Sequence, residues 1–246
     1  MIPRVIHYCW FGGNELTPLA KKCIASWRQF FPDYEIKEWN EQNFDVNQVM
    51  FTEEAYKLKN YAYVSDYVRF WVLYHFGGMY FDTDVEVIRP MNDVLEKGPF
   101  MGFEQAGECP AVNPGLGLAA VPGMSLYKAI LNRFEHMSFL TENGNSDPYT
   151  MIPMVTDLLK ERGLVCNGTI ERIACVNIYP PDWFNPFDDA TGKLRKTENT
   201  RTIHWFAKSW MPAEPAWAIA LKRALRRNLG KEAIQRLGML LKSGKD

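Results

Sequence analysis

No run of 18 uninterrupted apolar residues occurs in the 246-residue sequence, so a membrane-spanning helix is not expected. The five cysteines, Cys9, Cys23, Cys109, Cys166 and Cys175, are widely spaced and form no C-x-x-C pair. That spacing points away from a zinc ribbon or a disulfide framework and toward buried free thiols. Neither sign of charge is in excess: 28 Lys+Arg face 29 Asp+Glu, and a formal net charge of −1 gives no electrostatic case for nucleic acid. A G-x-x-x-x-G-K-[ST] loop, a G-x-S-x-G elbow and an H-E-x-x-H helix are all absent, which removes the main support for P-loop, serine-hydrolase and zincin chemistry. The glycine-rich run 113–117 does not match G-x-G-x-x-G, so a dinucleotide site is not expected either. The first residues, MIPRVIHYCWFGG, lack a charged segment followed by a long apolar one, and a cytoplasmic protein is the expectation. Asn167-Gly168-Thr169 therefore reads as an accidental glycosylation sequon.

What is present is a folding composition, 47% hydrophobic and 14% aromatic, long enough for one domain with an appendage. Val5 to Cys9 reads as a first strand emptying into the loop Trp10-Phe11-Gly12-Gly13. Leu19 to Phe30 reads as a helix and Tyr34 to Trp39 as extended. Strand, helix, strand is the opening of an α/β domain with a parallel sheet, whose ligands bind at the carboxyl ends of the strands. Glu54 to Phe76 contains no Gly or Pro and ends at Gly77-Gly78, which predicts one long buried helix. Met79 to Ile88 alternates as a strand would, with Tyr80, Asp82, Asp84 and Glu86 on one side. Further on, Leu126 to Met137 and Met151 to Glu161 are predicted helices separated by a loop, TENGNSDP. Tyr179 to Lys196 is predicted to be an irregular surface loop, and Thr202 to Phe206 a last short strand.

Three groups of residues suggest chemistry. Asp82-Thr83-Asp84 offers two carboxylates on one side of the chain, the oxygen donors that Mg²⁺ or Mn²⁺ takes when it also bridges phosphates; solvated turn residues are the plain reading. Asp66 and Arg69 share a helix face inside an otherwise aromatic and aliphatic helix, either as an internal ion pair or as acceptor and donor for a hydroxyl-rich ligand such as a sugar. Trp10 is either a loop-packing aromatic or a platform for a flat base. His204, near Ser209-Trp210, is either structural or a metal ligand completing a site begun by Asp84.

In this order the motifs I-H-Y-C-W-F-G-G at 6–13, S-W-R-Q-F-F-P-D-Y-E at 26–35, A-Y-V-S-D-Y-V-R at 62–69, L-Y-H-F-G-G-M-Y-F-D-T-D at 73–84 and H-W-F-A-K-S-W at 204–210 resemble glycosyltransferase family 32. That group of D-x-D sugar transferases includes capsule, lipopolysaccharide and mannosyltransferase enzymes and is similar to the catalytic domain of the glucosylating clostridial toxins. The resemblance covers about 1–212. It implies a GT-A fold, a single nucleotide-binding α/β domain with a mixed, mainly parallel sheet. It also implies a retaining, metal-dependent transfer of a hexose from a UDP- or GDP-hexose to a glycan or lipid-linked acceptor, in bacterial surface polysaccharide synthesis. Carried over by motif, Trp10 stacks on the base, Tyr80 lines the ribose, and Asp66 and Arg69 hold donor-sugar hydroxyls. Asp84 ligates Mn²⁺ or Mg²⁺ directly, Asp82 touches the ribose or a metal-bound water, and His204 is a further ligand. Ser209 and Trp210 close over the diphosphate and glycosidic oxygen. Asn113 falls where the family has an Asn near the sugar, but Pro114 follows it in place of a small polar residue. A metal-dependent nucleotidyl- or phosphotransferase is the alternative within enzymes, and a catalytically silent glycan-binding protein the alternative outside them.

The composition changes at Ala213. Residues 213–246 hold eight basic and three acidic side chains, a local +5, which leaves −6 for residues 1–212. Apolar residues from Trp217 to Leu241 recur at helical spacing, so the tail is expected to be a basic amphipathic helix or helix pair. It is expected either to pack on the domain or to lie on an anionic membrane surface, at the inner face of the membrane.

Overall fold

The computed structural model describes residues 1–106, 109–141, 151–208 and 214–227. Its strands are β1 (Val5–Cys9), β2 (Glu35–Trp39), β3 (Gly78–Tyr80), β4 (Val85–Val87), β5 (Phe100–Ala106), β6 (Cys109–Val112), β7 (Leu118–Ala120), β8 (Glu171–Ile173), β9 (Val176–Tyr179), β10 (Phe187–Asp188), β11 (Lys193–Leu194) and β12 (Thr202–His204). Its helices are α1 (Pro18–Phe30), α2 (Met50–Lys57), α3 (Tyr61–Phe76), α4 (Asn92–Leu95), α5 (Ser125–Glu135), α6 (Met151–Lys160) and α7 (Pro181–Phe184), and a further helix runs over 216–227.

The central sheet has the order β2-β1-β3-β7-β5-β9-β8, with β6 paired to β5. Strands β1, β2, β3, β5 and β9 run one way and β6, β7 and β8 the other, so the sheet is mixed and mainly parallel in direction. The two-residue period of the strands divides the core between its faces. Tyr80, Met101, Phe103, Leu118 and Ile178 point to the layer shared with α3, α5 and α6. Ile6, Met79, Phe100, Ala119 and Tyr179 point to the layer shared with α1 and α7.

Helix α1 starts where the Thr17 hydroxyl accepts the Ala20 N–H at 3.1 Å, with Pro18 in the first turn. Its buried Trp27 donates to the Val85 carbonyl at 2.8 Å, which ties α1 to β4. Helix α3 is buried on most of its circumference, as an all-round apolar helix must be. It stops at Gly77, φ +64°, whose N–H reaches the Leu73 carbonyl at 2.9 Å.

Four expectations are corrected. The predicted helix Glu54 to Phe76 is two helices, α2 and α3, broken at Lys59 in the left-handed region (φ +59°) where the Asn60 N–H turns back to the Ala55 carbonyl at 2.8 Å. The predicted strand Met79 to Ile88 is two short strands in different ladders: β3 belongs to the central sheet and β4 pairs with β12. Its polar alternation ends because Phe81 to Asp84 form a turn closed by Val85 N–H on the Asp82 carbonyl at 2.9 Å. The stretch Tyr179 to Lys196 is no plain surface loop; it contains α7, with Trp183 and Phe184 buried, and the β10–β11 hairpin. Finally, Cys9 and Cys23 are buried free thiols and Cys166 is buried, but Cys175 is exposed. The loop 142–148 and the tail beyond 227 lie outside the described residues.

Candidate active site

A cavity of about 590 Å³ opens at the carboxyl ends of β1 and β3, with Trp10 and Tyr80 on its wall. That is where an α/β sheet presents its loops to a ligand, and the size suits one. Gly12 lets the loop after β1 pass the Tyr61 ring: φ is +94°, and a Cβ there would stand 2.3 Å from a ring carbon. Trp10 lies between β1 and this loop, its indole N–H donating to the Asn14 carbonyl at 2.6 Å and its ring lining the cavity.

One wall is built by α3 and the turn after β3. Arg69 is 3% exposed and its guanidinium is consumed from several sides. It donates to the Ser65 carbonyl at 3.2 Å, pairs with Asp66 at 2.8 Å and Asp82 at 3.2 Å, and lies 5.0 Å over the Tyr80 ring. Two carboxylates thus share one guanidinium. Burial raises the Asp66 carboxyl to about 7, with Arg69 pulling it down and the Asp82 charge pushing it up. Asp82 is also raised, again by burial first, with Arg69 opposing and the nearby Asp84 charge adding to the rise.

Asp84, in the same turn, belongs to a different arrangement. β12 pairs antiparallel with β4, His204 opposite Val85, which sets the imidazole Nε2 3.1 Å from Asp84 Oδ1. The chain then wraps around the carboxylate: Trp205 N–H reaches the Asp84 carbonyl at 3.0 Å and Ala207 N–H its Oδ2 at 2.7 Å. Phe206 and Lys208 adopt left-handed backbone at φ +50° and +49°, a strained conformation for side chains of this size that holds the segment in this path. Burial works against ionisation of Asp84, but His204 and the Ala207 N–H override it and the carboxyl is lowered. His204 is raised despite burial, because Asp84 and then Asp82 favour its charged form.

The ligand atoms of Asp82, Asp84 and His204 lie within 4.8 Å of one another. His204 Nδ1 is buried without a hydrogen-bond partner. Two carboxylates and an imidazole at this spacing are a donor set that fits a divalent cation.

A third wall is the 3₁₀ turn Pro114–Leu116. Asn113 caps it, its Oδ1 accepting the Gly115 N–H at 2.7 Å while its amide donates to Glu104 on β5. Gly115 is required by proximity: a Cβ there would stand 2.6 Å from Asp82 Oδ2 and 3.0 Å from Asn113 Oδ1.

The cavity therefore brings together Trp10, Asp66, Arg69, Tyr80, Asp82, Asp84, Asn113 and His204, all singled out from sequence. Ser209 and Trp210 lie outside the described residues. Glu104 and Lys208 also line the cavity and were not foreseen. A lone carboxylate within the otherwise apolar opening of β5, F-M-G-F-E, was the available signal for Glu104; Lys208 carried none beyond its closeness to His204.

Residues 18–101 match the family described as the glycosyltransferase sugar-binding region containing the DXD motif. Inositol phosphoceramide mannosyltransferase 1 of Schizosaccharomyces pombe is 29% identical over 157 residues, 56% of this chain and 45% of that protein. An uncharacterized glycosyltransferase, L373, of Acanthamoeba polyphaga mimivirus is 29% identical over 110 residues, 41% of this chain and 42% of that protein. The matches thus span less than half the length of these curated relatives. Among solved structures, a glycosyltransferase involved in glycosylation of the major capsid of PBCV-1 superposes with a TM-score of 0.50 at 13% identity, covering 85% of this chain and 95% of that one. Residues 18–101, which carry Asp66, Arg69, Asp82 and Asp84, are thus similar to the DXD-containing glycosyltransferase sugar-binding family, and the chain around them has the GT-A fold.

Proposed function

We propose that the chain transfers a hexose, with retention of anomeric configuration, from a nucleotide sugar to a glycan or lipid-linked acceptor. The observation that carries this reading is that a cation site and a buried carboxylate–guanidinium–carboxylate group share the turn Asp82–Asp84 and face one cavity. Mannose is the first hexose to test, because the S. pombe relative is named a mannosyltransferase. Synthesis of a bacterial surface polysaccharide is the setting that the family resemblance suggests. Residues 1–212 form the catalytic unit in this reading and 213–246 an accessory tail.

Asp84, Asp82 and His204 would hold Mn²⁺ or Mg²⁺. Such a cation supplies positive charge against the negative charge that grows on the leaving diphosphate. Trp10 stacks on the base and Tyr80 borders the ribose. Asp66 and Arg69, already oriented by each other at 2.8 Å, present an acceptor and a donor to sugar hydroxyls without reorganising. Asn113, its amide fixed at both ends, borders the sugar. Attack by the acceptor from the face that the phosphate leaves gives retention. A glycosyl adduct trapped on Glu104 would replace that route with a covalent one.

A panel of UDP- and GDP-hexoses with Mn²⁺ or Mg²⁺ tests the reading, with nucleoside diphosphate release as the expected product. Nucleoside monophosphate as product would favour a phosphotransferase, and glycan binding without turnover would favour a silent protein.

For the tail, we propose contact with the inner, anionic surface of the membrane. Trp217, Leu221 and Leu225 lie four residues apart on the helix 216–227 and are 71%, 53% and 39% exposed, with Lys222, Arg226 and Arg227 on the same helix. No helix of the described residues is long and apolar enough to cross a membrane. Co-sedimentation with phosphatidylglycerol vesicles should fall in Trp217→Asp/Leu221→Asp and in high salt; unchanged binding in both would refute the contact.

A further inference from the structure

Among the described residues of the cavity wall, three side chains carry or can take positive charge: Arg69, His204 and Lys208. Arg69 is bracketed by two carboxylates and His204 is engaged with Asp84. Lys208 differs. Its side chain is 49% exposed, it stands at the end of the strained segment that wraps Asp84, and its ammonium pairs with Asp189 Oδ2 at 2.6 Å. Asp189 belongs to the β10–β11 hairpin connection and does not line the cavity. Its other oxygen takes Arg223 of the helix 216–227 at 2.9 Å, and its carbonyl accepts the Arg223 Nε–H at 3.1 Å. The arrangement is built for that arginine: Arg223 lies 5.4 Å over the Phe187 ring, and a Cβ at Gly192, φ +69°, would stand 2.8 Å from Arg223 Cδ.

We propose that Lys208 is a phosphate-binding residue for the donor, held in reserve by Asp189, and that Arg223 sets how tightly Asp189 holds it. This rests on the nucleotide-sugar reading above. An ammonium has three donors on a flexible stem, and an exposed ion pair is worth little, so Lys208 leaves Asp189 readily for a multiply charged diphosphate at the neighbouring cation site. When it leaves, Asp189 keeps the Arg223 guanidinium and is not stranded. Without Arg223, Asp189 would hold Lys208 as its remaining partner more strongly and the donor would compete for it. The helix is in this way coupled to the donor site through one carboxylate, one oxygen toward each.

The test is binding of GDP and UDP in Mn²⁺ to the full chain by calorimetry, using whichever the wild type binds, with melting temperature recorded for every variant. Lys208→Met should weaken nucleoside diphosphate binding about 10-fold or more, the scale of a charge-assisted hydrogen bond, and Lys208→Arg should recover most of it. Arg223→Ala should weaken binding about 3- to 5-fold, although Arg223 lies outside the cavity. Adding Asp189→Asn to Arg223→Ala should restore the affinity, which a merely structural loss of the helix anchor would not do. Unchanged affinity in Lys208→Met, or a loss in Arg223→Ala that Asp189→Asn fails to repair, would overturn the proposal. If the wild type binds neither nucleotide, the nucleotide-sugar reading itself fails and the proposal with it.

Discussion

Asp82 and Asp84 stand two residues apart in one turn, yet the protein holds them in opposite ways. Asp82 joins Asp66 around a buried guanidinium, and burial leaves both carboxyls raised. Asp84 is met by an imidazole and a backbone N–H, and its carboxyl is lowered. The first group is closed on itself: its charges are largely spent inside the protein and its geometry is rigid. The second is open: the Asp82 and Asp84 carboxylates and the His204 imidazole lie close enough to share one cation. The D-x-D spacing therefore does not give two equal ligands. It ties Asp82 to the Arg69 guanidinium as well as to the Asp82–Asp84–His204 cluster, and leaves Asp84 to that cluster alone.

Removing charge from each group should separate these roles. Arg69→Met strands Asp66 and Asp82 in the interior and should cost about 3–5 kcal/mol of stability, read as a lower urea midpoint, with diphosphate release lost as well. Asp84→Asn gives up the pair with His204 and should lower the urea midpoint by less than Arg69→Met does, while metal-dependent diphosphate release falls by about 10²–10³-fold, the scale of one lost electrostatic contact in a transition state. If the two variants lost stability equally, the contrast between a closed and an open group would fail. Gly115→Ala tests the seam between them. Its Cβ must displace Asp82 Oδ2, which Arg69 holds in place, so activity should fall about 10- to 100-fold through a misplaced carboxylate while stability changes by about 1–3 kcal/mol.

Much of this is legible in the sequence alone. The first strand and helix, the Gly77 stop and the residues Asp66, Arg69, Asp82, Asp84 and His204 follow from period, turn chemistry and motif. Where the reading failed, a non-local cause was at work. The break at Lys59 is a turn within a Gly- and Pro-free segment, which periodicity does not register. The alternation from Tyr80 to Glu86 imitates one strand, but β4 is recruited by β12, more than a hundred residues away. Glu104 and Lys208 enter the cavity from β5 and from a strained connection; the lone carboxylate in an apolar strand is a faint local sign of the first, and the second has none beyond its closeness to His204. The division of labour within D-x-D was equally hidden, because it depends on which neighbour, Arg69 or His204, each carboxylate meets in space.

The pH dependence of stability offers the smallest and most specific effect. Burial raises Asp66 from its ordinary carboxylate range to about 7, so the folded protein binds a proton that the unfolded chain releases near pH 3.8. The stability this proton contributes is fully present below pH 3.8 and is lost as the pH climbs to 7, flattening above it. In chelator, the Asp66 contribution should therefore lower the melting temperature by a few degrees between pH 5 and 8. Asp82 and His204, also raised, act in the same sense, whereas His7, lowered to about 4 by burial, acts in the opposite sense up to its ordinary 6.5, so the wild-type curve alone mixes these groups. Asp66→Asn keeps the His204 contribution and removes that of Asp66. The difference between the two curves should then isolate the closed group. A difference that stays constant from pH 5 to 8 would mean that Arg69 keeps Asp66 ionised throughout, and the closed group would be an ordinary buried ion pair whose charge never changes.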